Sequence, residues 1–468
     1  MVDYSKKYIF NTNYNVYIKD SRYLYVDFEN AHWFRTNKSG YDFINRMRLL
    51  NNLNKALEET GNELGFNSIF LQKTMSLFIQ ELIENKIIVE ENETLKPEHS
   101  SIDFPNTIWI HVTNACNLSC PFCYSDANNE RIYNIDYIKV LDFLKDLPKE
   151  KRKKVIISGG EPFLYQKLSE LVNGLKELQF TVQVITNGTF GREKYPEIIP
   201  MIDLLQVSID GSTESVNAIT RGKDSLNKAI NNIRYAKELG VKDLYISFTG
   251  NSNNILDLPN MPQFMLENKI NHIHITKLLP VGRGKVNMID LSPDKDDYAK
   301  SVREFKEQIQ MCNRRIYAMR EGEEAFLDQK DKTKFLTVSF AGDQLNTVIN
   351  GYKVTGCGAG DATLSINYDG KIYPCTSLNE INQCLGNIEE NNITQIIEMG
   401  KKVAKELCVD NLKECKHCQL KYFCGGGCRA CALNYDCIKG KEPDCESYKE
   451  RIWEYMWTLD IGKNHVES

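Results

Sequence analysis

The stretch Cys116-Asn117-Leu118-Ser119-Cys120-Pro121-Phe122-Cys123-Tyr124 decides how the rest of the chain is read. It sets three cysteines at CxxxCxxC directly after an apolar run, Ile108-Trp109-Ile110-His111-Val112. A structural zinc site needs four ligands and usually draws them from two CxxC pairs, which this spacing does not offer. Three thiolates on one short loop suit three irons of a [4Fe–4S] cluster and leave the fourth iron open to another ligand. An iron that the protein does not saturate is a place for chemistry.

The chain has 468 residues, 42% hydrophobic and 26% charged, too long for one core and ordinary in composition for a globular protein. Its net charge of −5 gives no overall drive toward nucleic acid or an anionic membrane surface. The first residues, MVDYSKKYIFNTNYNVYIKD, lack the apolar stretch of a signal peptide, and no apolar run reaches the roughly 18 residues of a membrane span. A cytoplasmic protein is expected. In that reducing compartment fifteen cysteines point to metal or redox chemistry rather than to disulfides.

Residues 1–95 read as a unit of their own. Val16-Tyr17-Ile18, Tyr23-Leu24-Tyr25-Val26 and His32-Trp33-Phe34 predict a three-stranded meander. Helical periodicity follows over Tyr41 to Leu57 and Ile69 to Asn85, with Leu71, Met75, Phe78, Leu82 and Ile83 on one face. This order resembles the PqqD-like, winged-helix-type element that binds leader peptides of ribosomally made precursors. The resemblance implies a leader strand added beside about Ala31 to Thr36; a plain winged-helix or dimerisation module is the alternative. Acids mixed with bases over Phe70 to Lys86 argue against a nucleic-acid partner. Residues 91–106, polar and with two prolines, read as a linker.

From Thr107 strand-like runs at 108–112, 155–158, 182–186, 204–208, 244–248 and 272–276 alternate with amphipathic segments such as Ile135 to Leu147, Lys167 to Leu178 and Ser225 to Leu239. Runs taken as apolar on both faces, alternating with helices, predict an α/β unit of parallel strands, here a partial (β/α)6 barrel over 107–285. Its chemistry belongs at the C-terminal strand ends. The loops there read Gly159-Gly160-Glu161-Pro162, Thr186-Asn187-Gly188, Ser208-Ile209-Asp210-Gly211 and Thr220-Arg221-Gly222, followed by Leu279-Pro280-Val281-Gly282-Arg283-Gly284. Paired glycines allow backbone to approach a ligand closely.

Each loop alone is common turn chemistry, but their order behind CxxxCxxC resembles the radical S-adenosylmethionine (SAM) superfamily over residues 107–285. The resemblance implies that Cys116, Cys120 and Cys123 hold the catalytic cluster and that the methionine end of SAM chelates its fourth iron. Gly159, Gly160, Glu161 and Pro162 match the segment at the methionine amino group. Ser208 and Arg221 match positions for the ribose and carboxylate, a guanidinium suiting a carboxylate by its forked geometry. Thr186, Asn187, Asp210 and Leu279 line the same pocket by this match, and Phe122 and Tyr124 flank the last cysteine, near the adenine.

Residues 286–345 predict a bridging region with a Lys- and Arg-rich helix, Tyr298 to Met319. In 346–460, Cys357 and Cys375 frame Gly370 as C-x12-G-x4-C, with a hairpin at Tyr368-Asp369-Gly370. Cys415, Cys418, Cys424, Cys428 and Cys445 follow; the first four alone would also suit a zinc ribbon. Together these seven cysteines resemble the SPASM domain, which implies two auxiliary [4Fe–4S] clusters and three in all. By that match Cys415, Cys418, Cys424 and Cys445 hold one cluster, and Cys357, Cys375 and Cys428 hold the other. Some relatives place a fourth ligand six residues after the first cysteine, where this chain has Thr363. The second cluster is therefore expected either to keep an open iron, able to grip a substrate thiolate, or to recruit one of Cys312, Cys384, Cys408, Cys431 and Cys437.

The resemblances together imply a peptide maturase of the sactipeptide and ranthipeptide type. It would join cysteine sulfur to carbon on a leader-bearing precursor, with electrons from a flavodoxin or ferredoxin. Thr376 stands where sulfatase-maturing relatives carry an acid. Carbon–carbon cross-linking, another radical peptide modification or a sulfatase-maturase-like oxidation is the rival within enzymes, and an iron–sulfur electron carrier is the rival outside them.

Overall fold

The computed structural model describes residues 2–92, 103–127, 130–322, 335–341, 348, 352–379 and 381–458, without the side chains of 318–322 and 381. Most of the expected linker, residues 93–102, lies outside the described residues.

The N-terminal unit contains β1 (Tyr8–Phe10), β2 (Asn15–Lys19), β3 (Arg22–Asp27), β4 (His32–Thr36) and β5 (Ile88–Glu90). Strands β2, β3 and β4 form the antiparallel meander, while β1 and β5 pair antiparallel to tie the two ends of the unit together. The helical stretch expected over 41–57 is two helices, α1 (Lys38–Leu50) and α2 (Leu53–Leu64). Asn51 takes the left-handed conformation that ends α1, and the Asn52 side chain caps α2 by accepting from Lys55 N–H. α3 (Ser68–Thr74) and α4 (Ser76–Glu84) complete the layer.

Period-two alternation in the meander sends side chains to opposite faces, and both faces are covered. Tyr25 and Phe34 pack on Phe43, Ile44 and Met47 of α1. Leu24, Val26 and Trp33 pack instead on Val409, Leu412, Phe423 and Ile452, far along the chain. Trp33 also donates its indole N–H to the Val348 carbonyl.

The second unit is built on β6 (Thr107–His111), β7 (Lys154–Ser158), β8 (Thr181–Thr186), β9 (Leu204–Ser208), β10 (Asp243–Gly250), β11 (His272–Lys277) and β12 (Thr337–Phe340), all parallel. Between them run α5 (Tyr137–Lys145), α6 (Leu168–Glu177), α7 (Tyr195–Ile198), α8 (Glu214–Arg221), α9 (Ser225–Glu238) and α10 (Met261–Glu267). The first six strands fall where the sequence predicts them. Strand β12 is an addition, inside the expected bridging region, and the long helix there spans Lys295–Gly322.

The strands are not apolar on both faces. Val182, Val184, Leu205 and Val207 enter the core with the helices, but Gln183, Gln206, Ser247 and His274 occupy the other side. Gln183 donates to Gln206 across that buried face at 2.8 Å. The sheet thus encloses polar groups.

The cysteine-rich region does not form a separate sheet. Its hairpin, β13 (Thr363–Ile366) and β14 (Lys371–Tyr373), joins the barrel because β13 pairs in parallel with β6, Thr363 opposite Thr107. With β15 (Gly386–Asn387) the sheet has ten strands, in the order β12-β11-β10-β9-β8-β7-β6-β13-β14-β15. No helix among the described residues is long and apolar enough to cross a membrane.

Replacing Trp33 by Ala removes a 4%-exposed side chain from the face between the two ends of the chain, and about 3–5 kcal/mol of stability should go with it. Urea unfolding monitored by circular dichroism checks this; an unchanged midpoint would mean that the face contributes nothing.

Candidate active site and cysteine centres

The loop Cys116–Tyr124 emerges from the C-terminal end of β6 and is held by backbone from two directions. On one side Gly160 N–H donates to the Thr113 carbonyl at 2.7 Å and Glu161 N–H to the Ala115 carbonyl at 2.8 Å. A Cβ on Gly160 would stand 2.0 Å from Ala115 O, and one on Gly159 would stand 2.5 Å from Thr113 O. Gly159 also has φ +132°, outside the range of most side-chain-bearing residues. Close approach at these glycines is therefore to the strand end that launches the cysteine loop. On the other side Gly282 lies against the Cys123 and Tyr124 carbonyls, and Arg283 donates from its backbone to Cys123 O at 3.0 Å. Arg283 Nε donates to Cys120 O at 2.9 Å, and its guanidinium continues to Asp126 and to the Ala127 carbonyl.

Buried polar groups tie the neighbouring loops together. Glu161, wholly buried, accepts from Thr186 Oγ1 at 2.7 Å, from Asn187 N–H at 2.8 Å and from Phe163 N–H at 3.2 Å. Burial pushes its carboxyl up to about 7, with those donors opposing the shift. Asn187 reaches onward to Asn117 Oδ1 at 2.8 Å and to Cys116 Sγ at 3.9 Å. Pro162 is buried in the turn that follows Glu161.

Asp210 and Arg221 form a buried ion pair, Nε to Oδ2 at 2.5 Å, and Asp210 also accepts from Thr249 N–H. The Arg221 guanidinium lies 5.8 Å from the centre of the Phe122 ring, a cation–π distance. Ser208 is half-buried and accepts from Ser247 Oγ at 3.4 Å. A cavity of about 460 Å³ lies between Asn117–Pro121 and the C-terminal end of α8, with Arg221 in its wall.

Tyr124 turns toward the sheet. Its hydroxyl lies 3.3 Å from both His111 Nε2 and Ser158 Oγ, and His111 Nδ1 is 2.9 Å from Asn367 Oδ1 in the β13–β14 hairpin. Burial drives the His111 pKa down to about 4, so its ring is neutral at physiological pH. Tyr124 and Leu279 share an apolar cluster with Cys375, Cys428 and Leu378. The cysteine loop and one of the distant cysteine groups are thus neighbours.

Seven cysteines of the C-terminal region fall into two groups. Cys415, Cys418 and Cys445 all lie within electrostatic reach of Cys424. Cys357 and Cys428 lie within reach of Cys375. Cys428, the fourth member of the possible zinc ribbon, belongs with the second group. Among the described residues no three His, Cys, Asp or Glu side chains converge on a single ion, as zinc would require; each iron of a cubane takes only one thiolate from the protein.

Arg429 tests the fit of an anionic cluster. It is 1% exposed, donates to the carbonyls of Gly426, Ile438 and Gly440, keeps a buried Nε without a partner, and lies within electrostatic reach of both Cys357 and Cys415. A buried cation between two thiol groups fits negatively charged iron–thiolate centres on either side. For the first loop, the fit rests on Cys116, Cys120 and Cys123, all within electrostatic reach of one another and half-buried.

Sequence reasoning passed over Lys277, Glu442 and Asp444. Lys277, at the C-terminal end of β11, pairs with both acids and lies 5.5 Å from the Tyr448 ring centre. Its position as the last residue of a barrel strand was the available signal. The acids sit between cysteines in a region read for thiols alone.

Residues 110–262 match the Radical SAM superfamily, and residues 357–419 match SPASM, an iron–sulfur cluster-binding domain. The chain carries a radical SAM domain followed by a SPASM domain, on an α/β sheet of the partial-barrel kind. An uncharacterized protein of Archaeoglobus fulgidus is 25% identical over 365 residues, 76% of this chain and 82% of its own length. A probable GTP 3',8-cyclase of Saccharolobus islandicus is 29% identical over 203 residues, 43% of this chain and 64% of that protein. Among solved structures, Streptococcus suis SuiB bound to S-adenosylmethionine superposes with a TM-score of 0.55 at 17% identity, over 93% of this chain and 99% of its own. Native anSMEcpe with bound AdoMet gives 0.59 at 19% identity, over 75% and 97%. These two likenesses are of fold.

With a folded-state pKa near 7 against an ordinary 4.5, Glu161 keeps its proton in the native state where the unfolded chain has released it. Its contribution to stability therefore declines as pH rises from about 4.5 to about 7. Glu161→Gln should be penalised less at pH 8 than at pH 5 relative to the parent chain. Urea midpoints at the two pH values measure this, and an equal penalty at both would show that Glu161 is ionised throughout.

Proposed function

We propose that this protein is a radical SAM enzyme that modifies a ribosomally made precursor peptide, joining cysteine sulfur to carbon as a thioether. The observation that carries the reading is the loop Cys116–Tyr124, braced at the C-terminal end of β6 beside a second cysteine group, two of whose members flank a hairpin of the same sheet. When bound, SAM on a [4Fe–4S] cluster supplies a 5′-deoxyadenosyl radical able to take hydrogen from an unactivated carbon. Cys116, Cys120 and Cys123 would hold that cluster. Gly159–Pro162, Thr186 and Asn187 shape the adjoining backbone, and Asp210 orients Arg221 toward Phe122 and the cavity. Ser208 ends β9, and Leu279 follows β11, with β10 between those two strands.

A peptide substrate is supported by the likeness to SuiB, which has also been solved bound to the precursor peptide SuiA and superposes over 94% of this chain with a TM-score of 0.53. The N-terminal unit would receive the leader along β4, which pairs with β3 on one side and with no other described strand. Thioether formation removes two hydrogens from the peptide for each bond. The Cys357 and Cys415 groups would hold clusters that take up the remaining electron, and a flavodoxin or ferredoxin would reduce the first cluster. The reaction belongs in the cytoplasm, where the thiols stay reduced.

Reconstituted anaerobically and given dithionite and SAM, the protein should release 5′-deoxyadenosine, and Cys120→Ala should reduce that release to background. Chromatography of the quenched mixture decides it; no product from the parent protein would remove the enzyme reading. A leader-bearing peptide should slow amide hydrogen exchange over residues 32–36 while a leaderless one does not. Protection confined to the barrel would remove the recognition role of the first unit.

A further inference from the structure

We propose that Cys431 is the fourth protein ligand of the cluster held by Cys357, Cys375 and Cys428, so that this cluster has no open iron. The inference rests on the iron–sulfur reading above and narrows it.

Cys428 is the N-cap of the helix Arg429–Tyr435, and Cys431 is the third residue inside it. The first turn gathers two of the three thiols: Arg429 N–H donates to the Cys357 sulfur, and the N–H groups of Ala430 and Cys431 donate to the Cys428 sulfur. A side chain three residues on lies over the same turn, which sets the Cys431 thiol beside the Cys428 sulfur. Cys431 is 2% exposed, so this thiol is sealed in beside the group rather than displayed to solvent.

The other candidates are engaged elsewhere. Cys312 is buried in the main core on the long helix. Cys384 donates to the Gly386 carbonyl at 3.3 Å, Cys408 to Asp410 at 3.7 Å and Cys437 to Asp436 at 3.5 Å. Thr363, at the position that some relatives use for a ligand, lies in β13 and offers a hydroxyl, buried without a hydrogen-bond partner, in place of a thiol. Cys431 alone of the spare cysteines touches a member of the group.

On cluster binding the Cys431 thiol loses its proton and its sulfur bonds the fourth iron, while Cys428 keeps another iron. Four protein thiolates then saturate the cubane. A substrate thiolate would have no iron to bind here, and the sulfur of a thioether would meet its carbon partner while held by the protein alone.

The test takes as parent the anaerobically reconstituted protein carrying Cys116→Ala, Cys120→Ala and Cys123→Ala, because the open iron of the first cluster would itself bind added thiol, and compares it with the same protein carrying in addition Cys431→Ala, Cys431→Ser, Cys357→Ala or Cys437→Ser, all full length. Iron and sulfide content and the EPR spectrum after dithionite are read with and without added 2-mercaptoethanol. The parent spectrum should not respond to the thiol. Cys431→Ala should either lose one cluster's iron, as Cys357→Ala does, or keep it with an auxiliary signal that shifts on thiol addition; Cys431→Ser should keep the iron with an altered signal. Cys437→Ser should match the parent. A parent signal that itself shifts with thiol would overturn the proposal. So would a Cys431→Ala protein matching the parent in iron and spectrum while Cys357→Ala loses a cluster. If Cys357→Ala also retains the full iron content, the auxiliary-cluster reading is what fails.

Discussion

Backbone pressed against backbone is the constraint on which the site depends. The cysteine loop is held by segments on both of its flanks. Its position comes from Gly159 and Gly160 on one flank and Gly282 on the other, each touching main-chain carbonyls at distances that a Cβ would forbid. Arg283 then spans the loop from Cys120 O to Ala127 O and closes the frame. The thiols are carried by this frame and need not organise it.

Around the frame the buried ionisable groups are few, and most have partners. Asp210 holds Arg221 inside the sheet, and Glu161 spends its oxygens on Thr186, Asn187 and Phe163. Removing one partner from such a buried set strands the other, at several kcal/mol. Arg429 is the exception: its guanidinium meets carbonyls rather than a carboxylate. Thiolate–iron centres would supply the missing negative charge.

The first six barrel strands were legible because each is a short, largely apolar run, and most are followed by a loop with unusual chemistry. The cysteine spacings were legible for a similar reason, since ligand geometry leaves a local imprint. Other features leave none. The pairing of β13 with β6 sets Thr363 opposite Thr107, a register that no window of sequence contains. Strand β12, Thr337–Phe340, is four residues long and half-exposed, too weak a pattern to stand out. Asn51, by its left-handed backbone, and Asn52, by its side-chain cap, divide one helical period into two helices. Gln183 and Gln206 read as interruptions in apolar strands until the sheet shows them facing one another.

The ten-stranded sheet has a mechanical meaning. Neighbouring strands keep a spacing of about 4.8 Å set by their hydrogen bonds. Because β13 lies next to β6, the hairpin between Cys357 and Cys375 and the strand that launches Cys116–Cys123 are locked to the same lattice. Electron exchange between centres at these positions would take place across a fixed gap, with no hinge to lengthen or shorten it. Its rate would then be governed by the relative potentials of the centres, and those answer to single buried groups such as Arg429 and His111.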